Sequence, residues 1–202
     1  MRPSRRKWIV WILPMLVAAG CGKAPQRGDI AAAVKATSPL AYYRLDSASG
    51  KSQTGNSTYQ CTGGATNDSP GPVSGPAGNR FAMLNGKDGW VKTTETGGIG
   101  KTASIMAWVN LEKLPKEEDH ILYVAGESES GNDLDLQFEQ DNKIKFFTSG
   151  GSEIEYAPDT ATLAKHWHMI VATMDAAAPS KALFWDGKLV TKTDDPSVVS
   201  AK

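Results

Sequence analysis

From Ser38 onward the chain runs in short β-forming stretches separated by clusters of Gly, Asn, Asp, Ser and Pro. That punctuation points to an all-β sandwich or barrel. Residues 40–45, with Tyr42 and Tyr43, read as the first strand. Residues 46–79 hold few large apolar side chains and are expected at the surface. Residues 81–84 and 89–94 read as a hairpin turning at Asn85 and Gly86, because Asn-Gly favours a tight two-residue turn. In residues 103–111, Ile105, Ala107, Val109 and Leu111 alternate with Met106 and Trp108, so both faces are apolar, as in a covered central strand. Residues 120–125 make the next strand. Leu134, Leu136 and Phe138 then alternate with Asp133, Asp135, Gln137 and Glu139, an apolar face backed by a polar face expected in solvent. Residues 143–148 follow a turn at Asp141 and Asn142. Residues 167–174 and 182–185 are further strands, and Asp186-Gly187 folds the latter back onto residues 188–191.

The N-terminus has a different character. Arg2, Arg5, Arg6 and Lys7 precede an apolar run over residues 8–19, and no acid occurs among the first 20 residues. A basic opening, a short apolar core and small residues at a cleavage point mark a secretory signal. The run is shorter than the ~20 residues a membrane span requires, and Pro14 breaks it. Its end, Ala18-Ala19-Gly20-Cys21, resembles a bacterial lipobox, in which the cysteine thiol carries a diacylglycerol and becomes the first mature residue. The resemblance implies a signal peptide over 1–20, lipidation at Cys21, a tether over 21–37 and a location in the cell envelope outside the cytoplasm, at the outer membrane where one exists. Within the tether, Asp29 is a good N-cap for about two helical turns ending near Lys35.

Removing the leader takes four of the 22 basic residues and leaves 18 against 22 acidic, a net charge of −4. No basic stripe remains, which argues against nucleic acid as a partner. Cys21 and Cys61 are the only cysteines. With Cys21 acylated, Cys61 has no disulfide partner within the chain.

The order of strands resembles the laminin-G-like, concanavalin A-like jelly-roll family. Five landmarks carry the likeness: residues 40–46 ending in Asp46; residues 81–91 with Phe81, Gly86 and Trp90-Val91; the strand with Trp108; Trp167-His168 with its following apolar run; and Trp185-Asp186-Gly187. The resemblance implies one sandwich domain over 38–202. Members usually continue past the last hairpin, so the final strands are expected to be missing here. A sheet edge uncovered in this way would favour self-association and low stability.

Several residues are candidates for chemistry. Laminin-G-like domains often hold calcium at the sandwich rim, and the resemblance points to Asp88, Asp133 and Asp175, with Glu127 and Asn132 beside them, as oxygen ligands. Trp90 and Trp185, next to turns, are candidates to stack on sugar rings, whereas Trp108 and Trp167 read as core. His166 and His168 flank Trp167 and read as polar-face residues. Related laminarinase-type glycosidases carry paired carboxylates on one strand, which makes Asp133, Asp135 and Glu139 an alternative, catalytic set. No serine nucleophile elbow or phosphate loop is present. The expected function is therefore a non-catalytic envelope lipoprotein whose module binds a glycan or a surface protein. The alternatives are a concanavalin-type glycoside hydrolase and a structural or truncated envelope protein.

Overall fold

The computed structural model describes residues 6–7, 11–12, 30–64, 66–68, 80–94, 102–124, 134–148, 153–175 and 177–194. They fall into two compact units, one of residues 11–96 and one of residues 97–202 together with 1–10.

In the first unit, Trp11–Ile12 (β2) is extended, and helix α1, Ile30–Ala36, forms where three consecutive alanines favour it, while the N-cap candidate Asp29 lies outside the described residues. A three-stranded sheet has the order β3 (Ser49–Lys51), β4 (Thr58–Thr62), β7 (Trp90–Thr93). β5 (Thr66–Asp68) pairs with β6 (Phe81–Met83) in a separate two-stranded sheet. Three expectations are corrected here. β6 and β7 do not form a hairpin: β6 joins β5, and β7 pairs with β4, with Cys61 opposite Val91. The Asn85 carboxamide oxygen instead accepts the backbone N–H groups of Lys87, Asp88 and Gly89, spreading the turn too widely for a two-residue hairpin. Residues 40–45 are not a ladder strand. The Tyr42 N–H donates to the Ser52 hydroxyl and its carbonyl accepts from the Gln53 N–H, while Ser38 and Leu45 bracket the segment at positive φ. Residues 46–79 are not simply surface, because Tyr59 is buried with Tyr42, Tyr43 and Val91. The Tyr43 hydroxyl donates to Ser57, and the Tyr43 and Tyr59 rings meet edge to face at 5.7 Å. This core is built from tyrosines satisfied by serines, which a count of aliphatic residues misses.

In the second unit, two sheets carry the core. One has the order β9 (Asp119–Val124), β10 (Leu134–Phe138), β11 (Ile144–Thr148), β12 (Ile154–Tyr156), with Arg6–Lys7 (β1) laddered parallel to Asp119–His120 at its free side. The other includes β15 (Lys188–Thr193), β14 (Ser180–Trp185), β13 (His168–Asp175) and β8 (Thr102–Val109) in that order. Their inner faces meet. Leu134, Leu136, Phe138, Ile144 and Phe146 face Ile105, Ala107, Ile170, Ala172, Met174 and Leu183, all of them buried. The Lys181 ammonium, also inside, lies 5.7 Å from the Phe146 ring centroid. β8 is apolar on both faces, as its sequence requires: Met106 and Val171 are buried on the outer face. A short helix, α2 (Thr160–Leu163), is capped by the Asp159 side chain accepting from the Ala161 N–H. The Asp186-Gly187 hairpin forms as its sequence demands, with both residues at positive φ (49° and 81°).

Candidate functional site

The polar face of β10 is not the solvated face its alternation suggests. In an antiparallel pair, directly opposite residues share a face. The β9–β10–β11 register therefore sets His120 beside Gln137, Gln137 beside Lys145, and Asp135 beside Phe147, all away from the core. Asp135 is 2% exposed, Gln137 4% and His120 5%. The register slips by one residue between Leu136 and Gln137, and this bulge brings His120 within reach of Asp135. The His120 Nδ1 lies 2.8 and 2.7 Å from the two Asp135 carboxylate oxygens. A carboxylate only accepts, so His120 donates from Nδ1 and its tautomer is fixed. The Gln137 Nε2 donates to the Glu139 carboxylate at 2.6 Å, which likewise fixes the direction of that amide.

Charged residues rim these two oriented groups. Lys145 bonds Glu153 at 2.8 Å and approaches Glu139 at 3.6 Å, and its ammonium stands 6.0 Å from the Phe147 centroid. The Glu153 hydrogen bond is the main reason the Lys145 pKa is raised. Lys143 bridges Asp141 and Glu155, each at 3.0 Å, and the Glu155 bond contributes most to raising its pKa. The face thus has a buried layer of His120, Asp135 and Gln137 with hydrogen-bonded side chains, and a more exposed set of Phe147, Lys145, Glu139 and Glu153. Sequence reading missed His120, Gln137, Lys145 and Phe147. Alternation along β10 marks Gln137, but only the register across β9 and β11 identifies the others.

The residues singled out beforehand lie elsewhere. Trp185, at the end of β14, is half-buried on the inner face, stacked on the His168 ring at 4.2 Å and tilted against Tyr156 at 6.1 Å. His168 is buried, not a polar-face residue. Its Nδ1 meets Asp186 at 2.8 Å and its Nε2 meets the Thr162 carbonyl at 2.9 Å, while His166 is exposed before the strand begins. Trp108 and Trp167 are half-buried. Trp90 is half-buried in β7, where its carbonyl accepts from the Thr62 hydroxyl. Asp88 accepts from the Asn85 amide at 2.7 Å, which is the largest influence lowering its pKa. Asp175 accepts from the Ala177 N–H and the Thr102 hydroxyl, each at 2.9 Å, and the Ala177 bond is the larger influence lowering its pKa. Both carboxylates are therefore engaged, Asp88 by its own turn and Asp175 by the residue after β13 and by the neighbouring β8. Among the described residues no group of three His, Cys, Asp or Glu side chains is placed to hold a metal ion. Cys21, Asp133, Glu127 and Asn132 lie outside the described residues.

Residues 85–202, more than half the chain, match the Laminin_G_3 family model, described as the concanavalin A-like lectin/glucanases superfamily. No curated protein matches the chain. Among solved structures, the chain is similar to the botulinum neurotoxin serotype D/C VPI 5993 binding domain, with 14% identity and a TM-score of 0.42 over 68% of this chain. The match spans 34% of that protein's chain.

Proposed function

We propose, from the premise that the chain belongs to the concanavalin A-like lectin/glucanases superfamily, that it is a non-catalytic glycan-binding lipoprotein of the bacterial cell envelope. The observation that carries the binding reading is the outer face of β9–β12. There the half-buried Phe147 ring stands with the partly exposed Lys145, Glu139 and Glu153 side chains, which are held by ion pairs and by the buried Gln137 amide. Pyranoses present an apolar ring face and a rim of hydroxyls, and a concave or flat site with few, well-placed polar groups suits them. Pre-oriented partners also lose little entropy on binding.

The same geometry supports a role without catalysis. Asp135 and Glu139 are four residues apart, about 13 Å at the backbone, and Asp133, two residues from Asp135 and so ~6.5–7 Å from it along a strand, lies outside the described residues. Glycosidases need carboxyl groups ~5–5.5 Å or ~6.5–9.5 Å apart. Asp135 is moreover engaged by His120. The anchor reading rests on Ala18-Ala19-Gly20-Cys21 behind the basic opening and its apolar run. An acylated cysteine with two or more chains holds a membrane stably. Among the described residues no helix is long and apolar enough to cross a membrane.

The test is a glycan array with the full chain purified from membranes in detergent. Binding should fall at least about tenfold (~1.4 kcal/mol) in Phe147→Ala and in Lys145→Ala. Turnover of any bound polysaccharide that disappears in Asp135→Asn would instead establish a hydrolase. Mass spectrometry of the N-terminal peptide should show an acylated Cys21, and Cys21→Ser should release the protein from the membrane fraction.

A further inference from the structure

We propose that the glycan taken at the outer face of β9–β12 carries free amino groups, and that uronate and sulfate polymers are rejected there; this deepens the glycan-binding reading above and rests on it. Charge on that face is uneven. Glu139, Asp141, Glu153 and Glu155 are met by two lysines, Lys143 and Lys145, which leaves an excess of two negative charges. Neither lysine is spare. Lys143 lies 3.0 Å from both Asp141 and Glu155, and Lys145 lies 2.8 Å from Glu153 and 3.6 Å from Glu139. An incoming carboxylate or sulfate has to displace one of these bonds and then still faces like charges.

A sugar ammonium meets the opposite situation. A carboxylate accepts up to about four hydrogen bonds and an ammonium donates three, so acceptors on this rim outnumber the lysine donors. The side chains of Glu153 and Asp141 are about half exposed, and that of Glu155 is 36% exposed, which leaves them open to a ligand. Hydrogen bonds between an ammonium and a carboxylate are about twice as strong as neutral ones. Phe147 points the same way independently. An aromatic face attracts cations, and this ring already stands 6.0 Å from the Lys145 ammonium, which bonds Glu153. Ring and carboxylates therefore share one patch, where a pyranose can lie on the ring with its amino substituent toward the acids. Lys143, Lys145 and Phe147 follow one another along this face at ~6.5–7 Å intervals, a length that suits an oligosaccharide.

The experiment uses the full chain purified from membranes in detergent, with three hexamers as probes: glucosamine, N-acetylglucosamine and galacturonic acid. A mildly acidic buffer keeps the sugar amines protonated and the carboxylates ionised. The glucosamine hexamer should bind at least about tenfold more tightly than its N-acetylated counterpart, and the galacturonate hexamer more weakly than either. Added salt should narrow the gap, because exposed charges are screened. The double substitution Glu153→Gln, Glu155→Gln cancels the charge excess and should bring the first two hexamers close in affinity. Glu112→Gln, an exposed acid after β8 in the other sheet, is the control and should leave the preference intact. An equal loss in that control would reduce the preference to attraction of a polycation by net charge and overturn the proposal. Equal affinity for the first two hexamers, or tighter binding of galacturonate, would also overturn it while leaving the glycan-binding reading standing. A folded protein that binds no glycan on the array would refute that reading, and this proposal with it.

Discussion

The His120–Asp135 pair is the residue-scale feature with the largest expected consequence. Both partners are buried, and truncating one removes a short hydrogen bond from the other. His120→Ala should therefore destabilise the protein by about 1–3 kcal/mol, whereas the double replacement of both residues by Leu should cost less. Urea denaturation of the four members of the cycle checks this, and a double variant as unstable as His120→Ala would refute it. Two glycines make a second contrast. Gly63 sits at φ 63° with the Asp88 carbonyl in the way of any added Cβ, whereas Gly187, at φ 81°, has nothing within 4 Å. Gly187→Ala should cost about 1–2 kcal/mol from backbone strain alone, and Gly63→Ala clearly more, as thermal melts would report. The Asp175 and Asp88 carboxyls have pKa values lowered by their hydrogen bonds. A depressed folded-state pKa adds stability above the unfolded value, and that stability is lost as pH falls through the folded one. Asp175→Asn should consequently flatten the acid limb below about pH 4, and an unchanged limb would count against the bonding described.

At the scale of elements, the last hairpin holds more than its own turn. Asp186 receives the Met169 N–H at 2.8 Å on one oxygen and His168 on the other, and its N–H returns a bond to the Met169 carbonyl. The turn is thereby fastened to the start of β13, where His168 in turn holds the end of α2. Asp186→Ala should loosen all three, at about 1–3 kcal/mol for the charged hydrogen bonds lost. Exchange of the amides of Met169 and Ile170 should rise with it, and protection unchanged at those positions would sink the idea. Much of this level was legible beforehand. Asp186-Gly187 and Asp141-Asn142 are turn chemistries that operate within four residues, and both turns form. Asn85-Gly86 carries an equally strong local signal yet joins strands of different sheets. Its outcome depends on β4 and β5, which precede it by some twenty residues and compete for the same ladders.

For the molecule as a whole, glycan binding should persist in chelator, since the Asp88 and Asp175 carboxylates already accept hydrogen bonds from within the protein. An array signal abolished by chelation and restored by calcium would assign them, or Asp133, to an ion after all. The sequence alone indicated the all-β class, most strands of the second unit and the turns at Asp141-Asn142 and Asp186-Gly187. Each of these depends on periodicity, turn geometry or composition within about ten residues. Tertiary structure decided which face of a strand is buried and which side chain meets which. Alternation along β10 separates Asp135 and Gln137 from Leu134 and Leu136, but cannot say that the polar face is buried too. That depends on β9, a bulge at its centre and a histidine fifteen residues away in the chain. The strand-pairing register, set by the packing of both sheets together, brings Asp135, His120, Gln137 and Phe147 onto one surface.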